Sequence, residues 1–344
     1  GAVPKTKVKG GVLHKAQRFI SILCPMNEAM RLLPGEQDRL PYIGQLTAVL
    51  AEKGSYIAID SEDLESAFNL FRMPTSWRGF FAFAKKVRGD AVGLSSLCTV
   101  RVALRTVPMG WTSAVTLIQA AIRHVAYEVA GIPRFTDVNK SAPLPDSSAH
   151  TILYLDNFDE LRYLKAKVAL REEGNPYPSH TKFLEACEKL GLATSEGKRL
   201  SCALRGCLQG GDILGDKAIL RHSYEKSADL LEISLALAFS GEVTSHSIQH
   251  WAGKAAFAAT FRRPLLAILQ EVFHMIKWSE NAGKVRVPET VLDEILSFAA
   301  LLPLAETDLS SPISREVSCT DASPTGGGIS VARAFKEKSL IPTD

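Results

Sequence analysis

Two short apolar runs constrain this chain more than any other feature, because each leads within a few residues to an aspartate. Tyr56-Ile57-Ala58-Ile59 runs into Asp60-Ser61-Glu62-Asp63, and Thr151-Ile152-Leu153-Tyr154-Leu155 runs into Asp156-Asn157. Short apolar runs rich in aliphatic and β-forming side chains are the pattern of buried strands. After the first, Leu64, Ala67, Phe68 and Phe71 fall at i, i+3, i+4 and i+7, the stripe of a short amphipathic helix that Pro74 stops. After the second, Phe158 to Leu161 returns as another strand. The expectation is a pair of buried strands that each deliver a carboxylate at or near one end.

Other segments fill in an α+β class. Arg18 to Ile22 reads as a strand that Cys24-Pro25-Met26-Asn27 ends, since proline removes a backbone donor. Gly79 to Val87 and Val100 to Val107 read as two strands joined by a polar link. A long helix is expected over about Ser113 to Val129, and a loop over Gly131 to His150, with its three prolines. Helical periodicity resumes at Arg162 to Glu173 and His180 to Leu190, and dominates from Ser223 to Leu302. Glu316 to Thr320 and Gly326 to Val331 suggest two strands joined by a turn. The sequence shows no internal repeat.

At 344 residues, 46% hydrophobic and 22% charged, the chain can bury one or two cores. Its apolar stretches, such as Leu230 to Phe239 and Ala255 to Phe261, are too short to span a bilayer, so no membrane partner is expected. The start lacks the apolar core of a secretory signal, and the expected location is intracellular, nucleus or cytoplasm. The six cysteines form no C-x-x-C pair and read as reduced thiols. Net charge is +3, but Lys5, Lys7, Lys9, Lys15 and Arg18 precede any acidic residue. That basic segment suits either a phosphate-facing arm or an ordinary solvated terminus.

Carboxylates gathered from separate strands are what Mg²⁺ requires, and two such ions roughly 3.5–4 Å apart can activate a hydroxyl and stabilise a leaving oxygen in phosphoryl transfer. Taken singly, Asp60 and Asp63 also suit helix caps, and Asp156-Asn157 an ordinary hairpin turn.

The order of several motifs resembles the reverse transcriptases of retroelements, closest to the retrotransposon type. Asp63-Leu64-Glu65-Ser66-Ala67-Phe68, followed by Phe71-Arg72-Met73-Pro74 and Phe80 to Phe83, resembles that family's D-L-x-x-A-F motif. Val107-Pro108-Met109-Gly110-Trp111-Thr112-Ser113-Ala114 is similar to L-P-Q-G-x-x-x-S-P, and Tyr154-Leu155-Asp156-Asn157 stands where the family carries Y-x-D-D. Thr194 to Lys198 is similar to the N-x-x-K element, Leu208-Gln209-Gly210-Gly211 to the primer-gripping turn, and Arg18 to Asn27 keeps the spacing R-x₈-N. Several motifs in order, over roughly residues 15 to 300, are far more specific than one.

The resemblance implies a right-hand polymerase fold: residues 1–54 as part of the fingers, 55–215 as the palm with an antiparallel sheet and a fingers insertion at about 75–106, 216–310 as a helical thumb and connection, and 311–344 as the start of a ribonuclease H-like domain. It implies an RNA-directed DNA polymerase, a nucleotidyltransferase that uses two Mg²⁺ or Mn²⁺ ions, an RNA template, a DNA primer and deoxynucleoside triphosphates, and a chain that is part of a longer polyprotein. Asp63 and Asp156 would be catalytic metal ligands, joined by the Leu64 carbonyl and Asn157. Lys15, Arg18, Phe68, Met109, Gly110 and Lys198 would meet the nucleotide, with Phe68 as a steric gate against a ribose 2′-hydroxyl. Tyr154, Leu208, Gly210 and Gly211 would face primer and template. From spacing alone Phe68 is equally one more core aromatic, and Lys198 equally a solvated loop lysine.

The chain also departs from the pattern. Asn157 replaces the second aspartate of Y-x-D-D, which removes a negative charge. Asp159, two residues on, would share its face of the returning strand and offer partial compensation. Met109 replaces a glutamine, and Ile22 and Cys24 stand where the fingers strand usually carries charges. Of the ribonuclease H carboxylates only Asp321 is present, so no such activity is expected. A degenerate palm that binds nucleic acid without catalysis, and an RNA-dependent RNA polymerase, are the alternative functions.

Overall fold

The computed structural model describes residues 2–9, 12–19, 21–314, 316–323 and 325–333; in the first twenty, Lys15 is the described side chain. The chain opens with a hairpin of β1 (Ala2–Lys9) and β2 (Val12–Phe19). Cys24-Pro25 then begins α1 (Cys24–Ala29) rather than closing a strand, because a missing N–H costs nothing in the first turn of a helix. The first apolar run is β3 (Ser55–Asp63), in which the acidic residues continue the strand instead of forming a turn. The expected amphipathic helix shrinks to the single turn of α2 (Ala67–Leu70), since Ser66 adopts a left-handed φ of 58°.

Across residues 72–107 the expected strand pair is mostly irregular. It keeps β4 (Val87–Arg88), β5 (Thr99–Val100) and single bridges at Arg72–Thr106 and Ala82–Ala103. Trp77 and Phe81 instead sit on a 3₁₀ stretch and pack edge-on against Trp111 with centroids 5.9 and 5.1 Å away. The long helix is α3 (Ala114–His124), prolonged by a π turn over Val125–Val129.

The second apolar run is β6 (Ala149–Tyr154), and β7 (Asn157–Lys165) returns from it past the point where helical periodicity was expected. Arg162 stays in the strand because its guanidinium finds a buried acid across the sheet. Next come α4 (Ala166–Glu172) and α5 (Pro178–Leu190), the latter with proline at its start and Gly191, φ 68°, past its end. Four short strands follow, β8 (Leu200–Ala203), β9 (Arg205–Leu208), β10 (Gly211–Leu214) and β11 (Ile219–His222). A helical layer is built from α6 (Tyr224–Ser240), β12 (Glu242–Thr244), α7 (Ser245–Ala259), α8 (Gln270–Ser279), β13 (Lys284–Arg286) and α9 (Glu289–Leu301). Its core centres on the fully buried Trp251, whose indole N–H donates to Ser234 Oγ at 2.8 Å. The described chain ends with β14 (Glu306–Asp308) and a hairpin of β15 (Val317–Ser323) and β16 (Gly326–Ala332).

The central sheet has the order β6-β7-β3-β8, all antiparallel, and a second sheet runs β14-β11-β10-β9. Nine successive pairs join β3 to β7, from Ser55–Lys165 to Asp63–Asn157. Side chains alternate, so this register divides them into two faces. Ala58, Asp60 and Glu62, paired with Arg162, Glu160 and Phe158, face α5, where Phe158 stacks on Phe183 at 4.4 Å. Ile57, Ile59, Ser61 and Asp63, paired with Tyr163, Leu161, Asp159 and Asn157, face the other way. Farther along that side Ile57, Ile59 and Leu161 join a core with Ile43, Leu46, Leu208, Ile213 and Phe261.

The α5 face carries buried charge. Arg162 donates to Asp60 at 2.6 Å, and the His180 ring nitrogens lie 3.4 Å from Asp60 and 3.4 Å from Glu62, which also pairs with Arg199. Burial alone would raise the two acids, but His180 and the arginines outweigh it and hold both below the ordinary carboxylate range. On the opposite face Asp159 is buried and accepts from Ser61 Oγ at 2.6 Å. There burial, aided by the charge of Asp63 and opposed by the Ser61 bond, pushes its carboxyl up to about 7.

Removing one partner of a buried pair leaves the other charge uncompensated, so Arg162→Met should cost about 3–5 kcal/mol in urea unfolding, and adding Asp60→Leu should recover part of that loss. For Asp159 the folded value lies above the unfolded one, so the unfolded chain releases its proton first and stability falls as pH rises from 3.8 to about 7. Asp159→Asn should remove that slope, stabilising the protein by about 1–4 kcal/mol at pH 8 and by much less at pH 4.

Candidate active site

Asp63 ends β3 directly opposite Asn157, the first residue of β7. Tyr154 pairs with Asn157, which leaves Leu155 and Asp156 as a two-residue hairpin loop. Leu155 takes a left-handed φ of 53°, as such tight turns demand. The Asp156 carbonyl accepts from Leu64 N at 2.8 Å, so the peptides carrying the two aspartates are hydrogen-bonded neighbours across the strand ends. The sequence expectation that these carboxylates come from adjoining strands is met at the level of the backbone.

The segment resembling N-x-x-K runs alongside. Ser195 N donates to the Asp63 carbonyl at 2.8 Å, Leu64 bridges Thr194, and the exposed Lys198 ammonium forms an ion pair with Asp63 Oδ2. Lys198 thus lies on the aspartate itself. Asp159 shares the face of Asp63 and Asn157 but lies two pairs farther along the ladder, and it is buried. Leu64 is buried, and Tyr154 half-buried.

An open groove of about 650 Å³ lies at the Met109-Gly110 turn. Phe68, Met109, Gly110, Trp111, Thr112 and Ala114 line one part of it, with Gln37, Asp38 and Leu40 contributing the rest. Phe68 is half-buried, packs on the core of Met73, Phe81 and Trp111, and lines the groove. The turn at Met109-Gly110 is held by Asn27, whose Nδ2 donates to Gly110 O at 2.9 Å and whose Oδ1 accepts from Thr112 N at 3.0 Å. Gly110 has φ +102°, and a Cβ there would come within 2.6 Å of Ser21 O.

Leu208 and Gly211 pair across a second two-residue turn, in which Gln209 and Gly210 have φ of 46° and 86°. A Cβ on Gly210 would reach Lys226 Nζ at 2.0 Å, and Gly211 is buried against Phe261 and Ile43. Lys15 is exposed on β2, and the side chain of Arg18 lies outside the described residues. Asp321 falls on β15 opposite Gly328.

Among the described residues no three His, Cys, Asp or Glu side chains converge on a common metal position. The donors at these strand ends are Asp63, Asp156, the Asn157 amide and backbone oxygens. These are hard oxygen donors, and Mg²⁺ is commonly held by one or two carboxylates with water and substrate phosphates completing the shell. The Lys198 ammonium on Asp63 shows that the position accepts a cation. The residues present fit a divalent ion.

Sequence reasoning missed the groove residues Gln37, Asp38 and Leu40, which carry no motif, and Gln119, which is buried in α3. A polar residue inside the apolar stripe of Ile118 and Ile122 was the signal available for the latter.

No protein-family model and no curated protein matches the chain. Among solved structures it is similar to a foamy viral protease-reverse transcriptase in complex with double-stranded DNA, at TM-score 0.58 and 13% identity over 96% of this chain and 48% of that one. A complex of the foamy viral protein with an RNA/DNA hybrid gives 0.56 and 13% over 96% and 37%, and another with double-stranded DNA 0.55 and 14% over 96% and 57%. The chain thus spans about half the length of these structures or less in two cases, and somewhat more in the third. Identity this low establishes the fold alone, and that fold is reverse-transcriptase-like.

Proposed function

We propose that this chain is the polymerase part of a retroelement reverse transcriptase, extending a DNA primer on an RNA or DNA template from deoxynucleoside triphosphates. The carrying observation is the placement of Asp63 and Asp156 on hydrogen-bonded neighbouring peptides, with Phe68, five residues on from Asp63, lining an open groove. The neighbours' complexes with double-stranded DNA and an RNA/DNA hybrid support a nucleic acid in that groove. In this reading the central sheet is the palm, residues 75–106 belong to the fingers and the helical layer is the thumb and connection.

Asp63 and Asp156 would hold two Mg²⁺ or Mn²⁺ ions, assisted by the Leu64 carbonyl and Asn157. When bound, the ions supply Lewis acidity to the attacking and leaving oxygens. The primer 3′-hydroxyl gives up its proton to water as its oxygen bonds to the α-phosphorus, the bond from that phosphorus to the bridging oxygen breaks, and pyrophosphate leaves. Lys198, which pairs with Asp63, would donate a proton to the leaving pyrophosphate. Phe68, fixed by its core contacts, walls the sugar side of the groove against a 2′-hydroxyl.

A second reading, a palm that binds nucleic acid without extending it, is favoured by Asn157, which leaves two carboxylates at the paired strand ends where the family motif would supply three. Primer extension with Mg²⁺ and with Mn²⁺ separates the two. Activity that Asp63→Asn or Asp156→Asn lowers at least about 10³-fold supports polymerisation, a loss of the size that electrostatic groups at a reacting centre carry. Salt-sensitive binding with no extension under either metal would refute it. For the gate, Phe68→Val should raise ribonucleotide incorporation relative to deoxynucleotide by at least tenfold in the same assay, about 1.4 kcal/mol of discrimination. An unchanged ratio would leave Phe68 as a core residue.

A further inference from the structure

We infer that Gln119 is the positioning residue for Asp156, an inference that rests on the metal-site reading above. Gln119 is fully buried on α3, yet its amide lies against the Leu155–Asp156 hairpin loop. Nε2 donates to the Leu153 carbonyl at 2.7 Å, and Oε1 accepts from Leu155 N at 2.8 Å. One planar amide thereby replaces a neighbouring strand, offering the donor and acceptor that an antiparallel partner would supply.

The loop needs such a clamp. Leu155 is a non-glycine residue in a left-handed conformation, which L side chains disfavour. The two Gln119 bonds act where that strain is stored, immediately before Asp156. On the other side, the Asp156 carbonyl is held by Leu64 N. The Asp156 backbone is therefore tied at both flanks, to α3 through Gln119 and to the Asp63 strand through Leu64. Since a metal ligand must be held to within about 0.5 Å, freeing one flank loosens the ligand without touching it.

The same helix begins at Ala114, and the groove is lined from Met109 to Val115. A rigid element thus carries both the groove wall and, from Gln119, the clamp on the aspartate. Gln119 sets the distance between the nucleotide wall and the metal ligand.

A packing role alone would change stability and nucleic-acid binding together, whereas a positioning role acts on metal affinity and turnover. The test uses the whole chain and Gln119→Met, which keeps volume and removes both hydrogen bonds, with Mn²⁺ binding followed by electron paramagnetic resonance alongside primer extension. Mn²⁺ affinity should fall about tenfold and kcat about tenfold or more, as loss of an orienting partner typically does, with primer–template Kd and nucleotide KM within about threefold of wild type. Gln119→Glu, which keeps an acceptor for Leu155 N–H, should lose less Mn²⁺ affinity than Gln119→Met, and it decides the question if the methionine variant does not fold. Wild-type Mn²⁺ affinity and kcat in a folded variant would overturn the inference, as would parallel losses of stability and primer–template binding. If the wild type binds Mn²⁺ through Asp156 but extends no primer, the polymerase reading falls while Gln119 is still judged by the Mn²⁺ titration.

Discussion

The pairing of β3 with β7 is the constraint on which the remainder of the structure rests. Nine consecutive antiparallel pairs fix Asp63 opposite Asn157, and a slip of one residue would turn Asp63 toward α5 and bring Glu62 to the groove. The buried charges on the α5 face oppose that slip. Asp60 and Glu62 meet Arg162, His180 and Arg199 in the observed register, and after a slip those cations would face Ser61 and Asp63 from the wrong distance. A buried ion network is weak evidence for stability, because desolvation consumes most of its attraction. Its worth here lies in specificity, since each misaligned register leaves a charge without a partner.

Much of this arrangement was legible because periodicity reports burial. The runs at Tyr56–Ile59 and Thr151–Leu155, the return after Asp156-Asn157 and the helices after Ser223 all follow from apolar spacing. Acidic residues misled the reading where they lie inside a strand, as at Asp60 to Asp63, because their partners are remote in sequence. The same cause hid the strand character of Arg162, whose counter-ion Asp60 lies in β3. In the Gly79–Val87 segment Phe81, an aromatic of the kind that usually marks a strand, joins instead the cluster around Trp111.

The candidate site was partly legible for a different reason. Asp63, Met109-Gly110, Asp156 and Lys198 carry motifs whose chemistry demands particular residue types; Lys198 pairs with Asp63, the Asp156 carbonyl accepts from Leu64 N, and Met109-Gly110 lines a groove. Asn27 and Gln119 act through backbone bonds, so their identity says little until their distances are known. Both hold turns that present a functional residue, one at Gly110 and the other at Asp156.

The charge at the groove follows from these placements. Asn157 stands opposite Asp63 with an amide in place of a carboxylate, and the acid two residues on, Asp159, lies buried and is largely driven toward its neutral form by that burial and by Asp63. Moving Asp159 into the groove would break its bond to Ser61 and lift it from the sheet interior, so it is poorly placed to replace the missing ligand. Asp63 is countered by Lys198. On the proposed reading, cations arriving with a triphosphate bring their own negative partner, whereas bare cations must compete with the lysine for Asp63. That asymmetry would make metal and nucleotide binding mutually dependent, with the balance of the site in the Lys198–Asp63 pair rather than in carboxylate number alone.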